Sequence, residues 1–125
     1  MKRKTTEQLD GAPRIIKKYP NRRLYDTSAS AYITLVDVKR LVVAGASFVV
    51  RDARTGEDLT RSILLQVILE EEIKGAPMFT VDVLACLIRC YGHEMQKIFE
   101  EHLEKSMQTL QYQLTPDSRG QLQVA

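Results

Sequence analysis

The sequence predicts an α+β protein: a small N-terminal domain of β-hairpins and two short helices, followed by a long C-terminal oligomerisation helix. Three observations carry this expectation. β-prone residues flank turn-forming residues within positions 14–26 and again within 48–59. Apolar residues recur at helical spacing after Thr34 and after Thr60, either of which can cap a helix. Beyond Pro77 an apolar stripe runs on to Leu114.

Residues 1–13 are polar, end in Gly11-Ala12-Pro13, and read as a flexible arm. Ile15, Ile16 and Tyr19 then surround Lys17 and Lys18, and Pro20-Asn21 supplies turn chemistry before residues 22–26, which together read as a hairpin. Thr34 with Asp37 forms a capping-box variant ahead of Leu35, Val38, Leu41 and Val42, and Gly45 ends that helix. Phe48, Val49 and Val50 lead into the turn-like residues 52–56, and the chain is expected to return through Glu57 to Leu59 as a second hairpin. Thr60 caps the next helix, where Ile63, Leu64, Val67 and Ile68 make one broad apolar face and Glu70, Glu71 and Glu72 are solvated.

Gly75-Ala76-Pro77 breaks the chain, because Pro77 cannot continue a helix, so the first domain is placed at 14–74. Within a regulatory and oligomerisation segment placed at 78–114, Thr80 caps a final long helix expected to run to about Leu114, with Asp82 complementing its dipole. Leu84, Ile88, Tyr91, Met95, Phe99, Leu103, Met107, Leu110 and Leu114 take 30 residues in 8 steps, 3.75 per step. That exceeds the roughly 3.5 of a heptad and disfavours a left-handed zipper. The stripe must be covered by another chain or by the rest of this one, and self-association as a dimer or tetramer is the economical solution. Val83, Cys86, Leu87 and Cys90 lie off the stripe, so the start of this helix should touch two neighbours. Residues 115–125 read as a loose tail.

Charge divides the chain unevenly. Residues 1–61 carry 13 Lys/Arg against 7 Asp/Glu, a balance of +6, whereas residues 62–125 carry 5 against 9, a balance of −4. The first part can attract a polyanion and the second should avoid one. No signal peptide or membrane span is legible, so a cytoplasmic protein with no membrane partner is expected. Cys86 and Cys90 then read as reduced thiols.

The chemistry concentrates in residues 14–27. Arg14, Lys17, Lys18, Arg22 and Arg23 are interleaved with Tyr19, Asn21 and Tyr25, a mixture typical of nucleic-acid binding. A two-stranded ribbon fits the major groove of duplex DNA, where Arg reads guanine and Asn reads adenine. Asn21, Arg22 and Arg23, beside the turn, are the base-contact candidates; Arg14, Lys17, Lys18, Tyr19 and Tyr25 suit the phosphate backbone, and Thr27 closes the segment. A merely solvated hairpin would carry the same cations. Cys86, Cys90 and His93 share a helical face and could ligate a metal, but small thiols packed at an interface explain them as well, and no metal or other cofactor is expected. No Gly-rich phosphate loop, zinc-protease helix or nucleophile elbow occurs, which argues against an enzyme.

Residues 14–27 (RIIKKYPNRRLYDT), 32–35 (YITL) and 48–60 (FVVRDARTGEDLT) resemble the N-terminal domain of the polyhydroxyalkanoate synthesis repressors. Residues 78–112, including LIRCYG at 87–92 and LEKS at 103–106, are similar to the regulatory repeat that follows in that family, with Cys90 standing where the family carries an aromatic. The resemblance implies a repressor that occupies promoters of granule-associated protein genes and its own, then leaves double-stranded DNA when nascent polymer or its oligomers bind. Leu84, Leu87, Ile88, Tyr91, Met95, Phe99 and Leu103 would then adsorb the aliphatic polyester, or serve solely as the core of the homo-oligomer. A granule-surface structural protein without specific DNA binding, and an RNA- or protein-docking module, are the competing functions.

Overall fold

The computed structural model describes residues 12–114, so all but the last two residues of the arm expected at 1–13, and the whole tail expected at 115–125, lie outside the described residues. The chain divides into two compact units at Met78 and Phe79. In the first, the elements run β1 (Arg14–Lys18), β2 (Leu24–Asp26), β3 (Ala31–Ile33), α1 (Leu35–Val43), β4 (Phe48–Asp52) and α2 (Thr60–Lys74). The second holds α3 (Val81–Cys90) and α4 (Gln96–Leu114).

The strands form one sheet in the order β3-β2-β1-β4. The expected hairpin is present, with β1 and β2 antiparallel and Lys17 opposite Tyr25. β3 continues the meander, antiparallel to β2. β4 joins the other side of β1 in parallel, with Ile16 opposite Val50. Strand alternation turns Ile16, Leu24 and Val50 to one face, where they meet Val38 of α1 and Ile63 of α2 in the buried core. Ile33, Leu35, Leu41, Phe48, Leu59, Leu64 and Val67 pack around them.

The ends of α1 follow from local chemistry. Asp37 accepts a hydrogen bond from the Thr34 N–H at 2.9 Å, so the carboxylate sits over the helix N-terminus as the capping pattern predicts. At the other end Gly45 takes φ +76, while the Gly45 and Ala46 N–H groups donate to Val42 and Leu41 carbonyls. This paired closure needs the left-handed backbone that glycine adopts without a Cβ penalty.

Three expectations are corrected. The return after β4 runs back along its free edge, where Asp52 donates to the Glu57 carbonyl and Leu59 to the Val50 carbonyl, but only one bridge, Arg51 with Asp58, is made and the return forms no strand of its own. Thr60 does not cap α2: it is the first helical residue, and its hydroxyl accepts the Val50 N–H at 2.8 Å, tying the helix to the sheet. In α2 itself, Ile68 lies outside the core-facing set and is exposed together with Leu65.

The predicted single helix from Thr80 to Leu114 is also corrected, because it is interrupted between Cys90 and Gln96. Thr80 caps α3 as expected, its hydroxyl accepting the Val83 N–H at 3.1 Å. At the break Tyr91 is extended and Gly92 takes φ +75. The Gln96 side chain accepts the Gly92 N–H at 2.8 Å and the His93 Nδ1 accepts the Met95 N–H at 3.0 Å, so two side chains satisfy backbone groups the helix would have paired. The 3.75-residue period therefore does not describe one helix. Leu84 and Ile88 belong to α3, Tyr91 and Met95 to the link, and Phe99 and Leu103 to α4. No residue of α3 or α4 is buried.

Two outcomes follow for the first unit. Asp37, Asp52 and Asp58 each accept backbone N–H bonds, from Thr34, Thr55 and Thr60 foremost, which hold their carboxyls below the ordinary 3.8. A depressed folded-state value means the stabilisation is complete above the unfolded-state pKa and is lost as pH falls through the folded one. Urea midpoints should therefore drop as pH is lowered beneath about 4, and Asp52→Asn should flatten that dependence. Asp26→Ala, which removes a buried carboxylate and leaves its donors unpaired, should cost about 2–3 kcal/mol in urea denaturation.

Candidate nucleic-acid interface

The alternation that buries Ile16 sends its neighbours to the opposite face of the sheet, away from α1 and α2. Register then builds a row across that face: Arg51 lies opposite Lys17, Lys17 opposite Tyr25, and Tyr25 opposite Tyr32. The Tyr25 and Tyr32 rings meet edge to face at a centroid separation of 5.2 Å, and Tyr19 approaches Tyr32 at 6.4 Å. The Arg23 guanidinium stacks over the Tyr32 ring at 4.2 Å from its centroid. The result is a basic and aromatic surface. Tyr32 remains 54% exposed, and Lys17, Arg23 and Arg51 are exposed beside it.

The turn that feeds Arg22 and Arg23 to this surface is defined by backbone bonds. Tyr19 accepts from the Arg22 N–H at 2.8 Å and donates to the Arg23 carbonyl at 2.9 Å, enclosing Pro20, Asn21 and Arg22. Pro20 presets the first torsion of such a turn, and Arg22 closes it with φ 69, a conformation unusual for a side chain of this size. Asn21 is drawn into the same construction, its side-chain oxygen accepting the Arg23 N–H at 3.1 Å. A cleft of about 720 Å³ opens beside the turn, lined in part by Lys18, Arg22, Arg23 and Gln66.

The sequence-derived residues thus divide. Lys17, Tyr19, Arg23 and Tyr25 gather on or beside the open face, and Arg22 projects from the turn. Arg14 and Lys18 alternate to the other face. Arg14 is engaged there with Asp26, 2% exposed, at 2.6 Å, and Asp26 also accepts the Ser28 and Ala29 N–H groups. Thr27 donates its hydroxyl to the Ile15 carbonyl at 2.6 Å. Arg51 and Tyr32 complete the row although neither stood among the sequence-derived site residues; only the register of β4 and β3 with the hairpin reveals them.

In the second unit Leu87 and Phe99 are half-buried, whereas Leu84, Ile88, Tyr91, Met95 and Leu103 are exposed. Among the described residues no group of three or more His, Cys, Asp or Glu side chains is placed to hold a metal ion. The break carries His93 out of the helical register that would have aligned it with Cys86 and Cys90. Desolvation and the adjacent Cys86 push the Cys90 thiol above its usual value, which disfavours the thiolate. No described helix is long and apolar enough to cross a membrane.

The sheet has one face buried under α1 and α2 and the other presenting cations and tyrosines, a surface suited to nucleic acid, and comparison with known sequences identifies a domain of that class. Residues 15–75 match the PHB/PHA accumulation regulator DNA-binding domain, and residues 79–113 match the PHB accumulation regulatory domain. The chain belongs to the PHB accumulation regulator family. Its relatives include an uncharacterized protein of Allochromatium vinosum and an uncharacterized protein in the phbA 5′ region of Thiocystis violacea. Each is 56% identical over 94 residues, covering 75% of this chain. The match spans 61% of the Allochromatium protein and 68% of the Thiocystis protein. No solved structure matches.

Tyr32 tests whether the row acts as one surface. Tyr32→Ala should free the Arg23 guanidinium and weaken duplex binding several-fold in fluorescence anisotropy, with the unfolding midpoint little changed because the ring is half exposed.

Proposed function

We propose that this chain is a sequence-specific transcriptional repressor that controls polyhydroxyalkanoate synthesis and granule-associated protein genes. The observation that carries the reading is the continuous row of Arg51, Lys17, Tyr25 and Tyr32, joined at one end by Arg23 from the turn. Lys17, Arg51 and Lys18 suit phosphates, Tyr19 and Tyr25 add polar and ring contacts, and Arg22 and Arg23 reach for base edges. Asn21 serves chiefly to build the turn, since its side-chain oxygen is committed to the Arg23 N–H. Arg14 holds the hairpin through Asp26 and acts by position, and Thr27 supports the same strand pair.

Release from DNA requires a ligand that prefers the conformation binding DNA less well. The exposed apolar side chains Leu84, Ile88, Tyr91, Met95 and Leu103, with Leu87 and Phe99, are suited to adsorbing an aliphatic polyester or its oligomers. They equally suit a homo-oligomer, because a pair of helices with no buried residue needs a partner. We place the protein in the cytoplasm, where promoter and polymer meet, acting without a cofactor or catalysis.

The tyrosines also favour a second reading, binding of single strands by base stacking. Tyr32 is less available for this, since Arg23 lies over its ring and Tyr25 abuts its edge.

Binding to duplex from the protein's own promoter region should weaken steeply with salt, and each phosphate-contacting cation removed should reduce the log–log slope by roughly 0.9. Arg22→Ala with Arg23→Ala should reduce specific affinity about tenfold or more while sparing binding to random duplex. A granule-coating protein would ignore the duplex, and an RNA module would be displaced from it by single-stranded competitor.

A further inference from the structure

Helix α2 carries more apolar side chains than the core of its unit uses. Ile63 is buried, and Leu64 and Val67 pack against the core. Leu65 and Ile68 point elsewhere and are 56% and 48% exposed. With Arg61 before them and Glu72 after, they recur at intervals of four, three and four residues, the spacing of a narrow helix–helix seam. The seam borders an apolar depression of about 500 Å³ lined by Asp58, Thr60, Arg61, Leu64, Leu65 and Ile68.

We propose that this seam joins two copies of the N-terminal unit, α2 against α2, in antiparallel two-fold symmetry. The charges choose the occupant and its direction. A register that sets Leu65 against the partner's Ile68 also sets Arg61 against the partner's Glu72, so a single arrangement satisfies the apolar and the ionic pairs and, by symmetry, repeats both. Parallel pairing would oppose Arg61 to the partner's Arg61 and Glu72 to the partner's Glu72, a repulsion at each end. Glu72 already accepts the Met78 N–H at 2.8 Å among its contacts, and a carboxylate with several acceptor sites can take a guanidinium beside them. The apolar part of the seam is well under the ~800 Å² per partner of a standard stable interface. Pairing is therefore weak for isolated units and gains from copies already linked, where the effective local concentration is high. The interface is distinct from the C-terminal stripe invoked for the oligomer above.

Sedimentation equilibrium on the full chain separates the two surfaces. The wild-type chain should form a larger assembly than either Ile68→Asp or Leu103→Asp, and the double variant should be monomeric. Arg61→Glu should reduce the mass as Ile68→Asp does, and Arg61→Glu combined with Glu72→Arg should restore it, with circular dichroism confirming that each variant is folded. A monomeric wild-type chain, or an Ile68→Asp chain of undiminished mass, overturns the proposal. If that unaltered mass comes with a changed unfolding midpoint, the chain's own C-terminal unit covers the seam instead. Failure of Glu72→Arg to rescue Arg61→Glu overturns the antiparallel register. A Leu103→Asp chain of unreduced mass counts against the C-terminal reading alone, while the Ile68→Asp result still decides this one.

Discussion

The Asp26 carboxylate is the constraint on which the N-terminal unit turns. One oxygen receives the Arg14 guanidinium and the other gathers the Ser28 and Ala29 N–H groups, so a single buried side chain joins the start of β1 to the turn that launches β3. An ion pair taken out of water gives back much of its Coulombic gain as desolvation, so its contribution is better understood as definition than as surplus stability. With β1 and β2 locked at that end, a one-residue slip would expel Ile16 from the core and turn Lys17 inward. The composition of the open face is thus decided on the buried one.

What could be read from the sequence was what short stretches of chain decide. The first hairpin, the Thr34 cap, the Gly45 stop and the Thr80 cap depend on neighbours a few residues away, and each is present. The parallel union of β1 with β4 depends on residues remote in the chain, and no local pattern announces it. That pairing places Arg51 beside Lys17, while the other edge of β4 is met by the returning chain, where the Val50 N–H donates to the Thr60 hydroxyl and takes Thr60 out of the capping role. The break after α3 was obscured for another reason. Apolar residues kept an approximately helical cadence through Tyr91 and Met95, whereas the deciding features were Gly92 and the two side chains, His93 and Gln96, that compensate the lost backbone bonds. At the candidate site, the identity of the cations and their alternation were legible. The carboxylate that claims Arg14 was not, because Asp26 looks like any acidic residue near a turn until its burial is known.

The two units differ in how completely they satisfy themselves. The first surrounds a small aliphatic core and holds its turns with side-chain hydrogen bonds, leaving exposed apolar surface on α2. The second has no buried residue in either helix, and apart from the half-buried Leu87 and Phe99 the large apolar side chains of those helices are exposed. Under the function proposed above, folding of such a helix pair and its association would be in effect one event. A ligand and a partner would then compete for the same apolar surface, which is what the proposed release from DNA requires.

Arg22 introduces a tension at the tip of the hairpin. Its backbone sits where glycine would rest without penalty, and an L side chain there costs about 1 kcal/mol. Glycine would relax the loop and delete the guanidinium in the same stroke, so ruggedness and the grip on a polyanion proposed for Arg22 pull against each other at one residue. Engineering this protein for heat tolerance by relieving backbone torsion would begin at the very place where such a gain is least welcome.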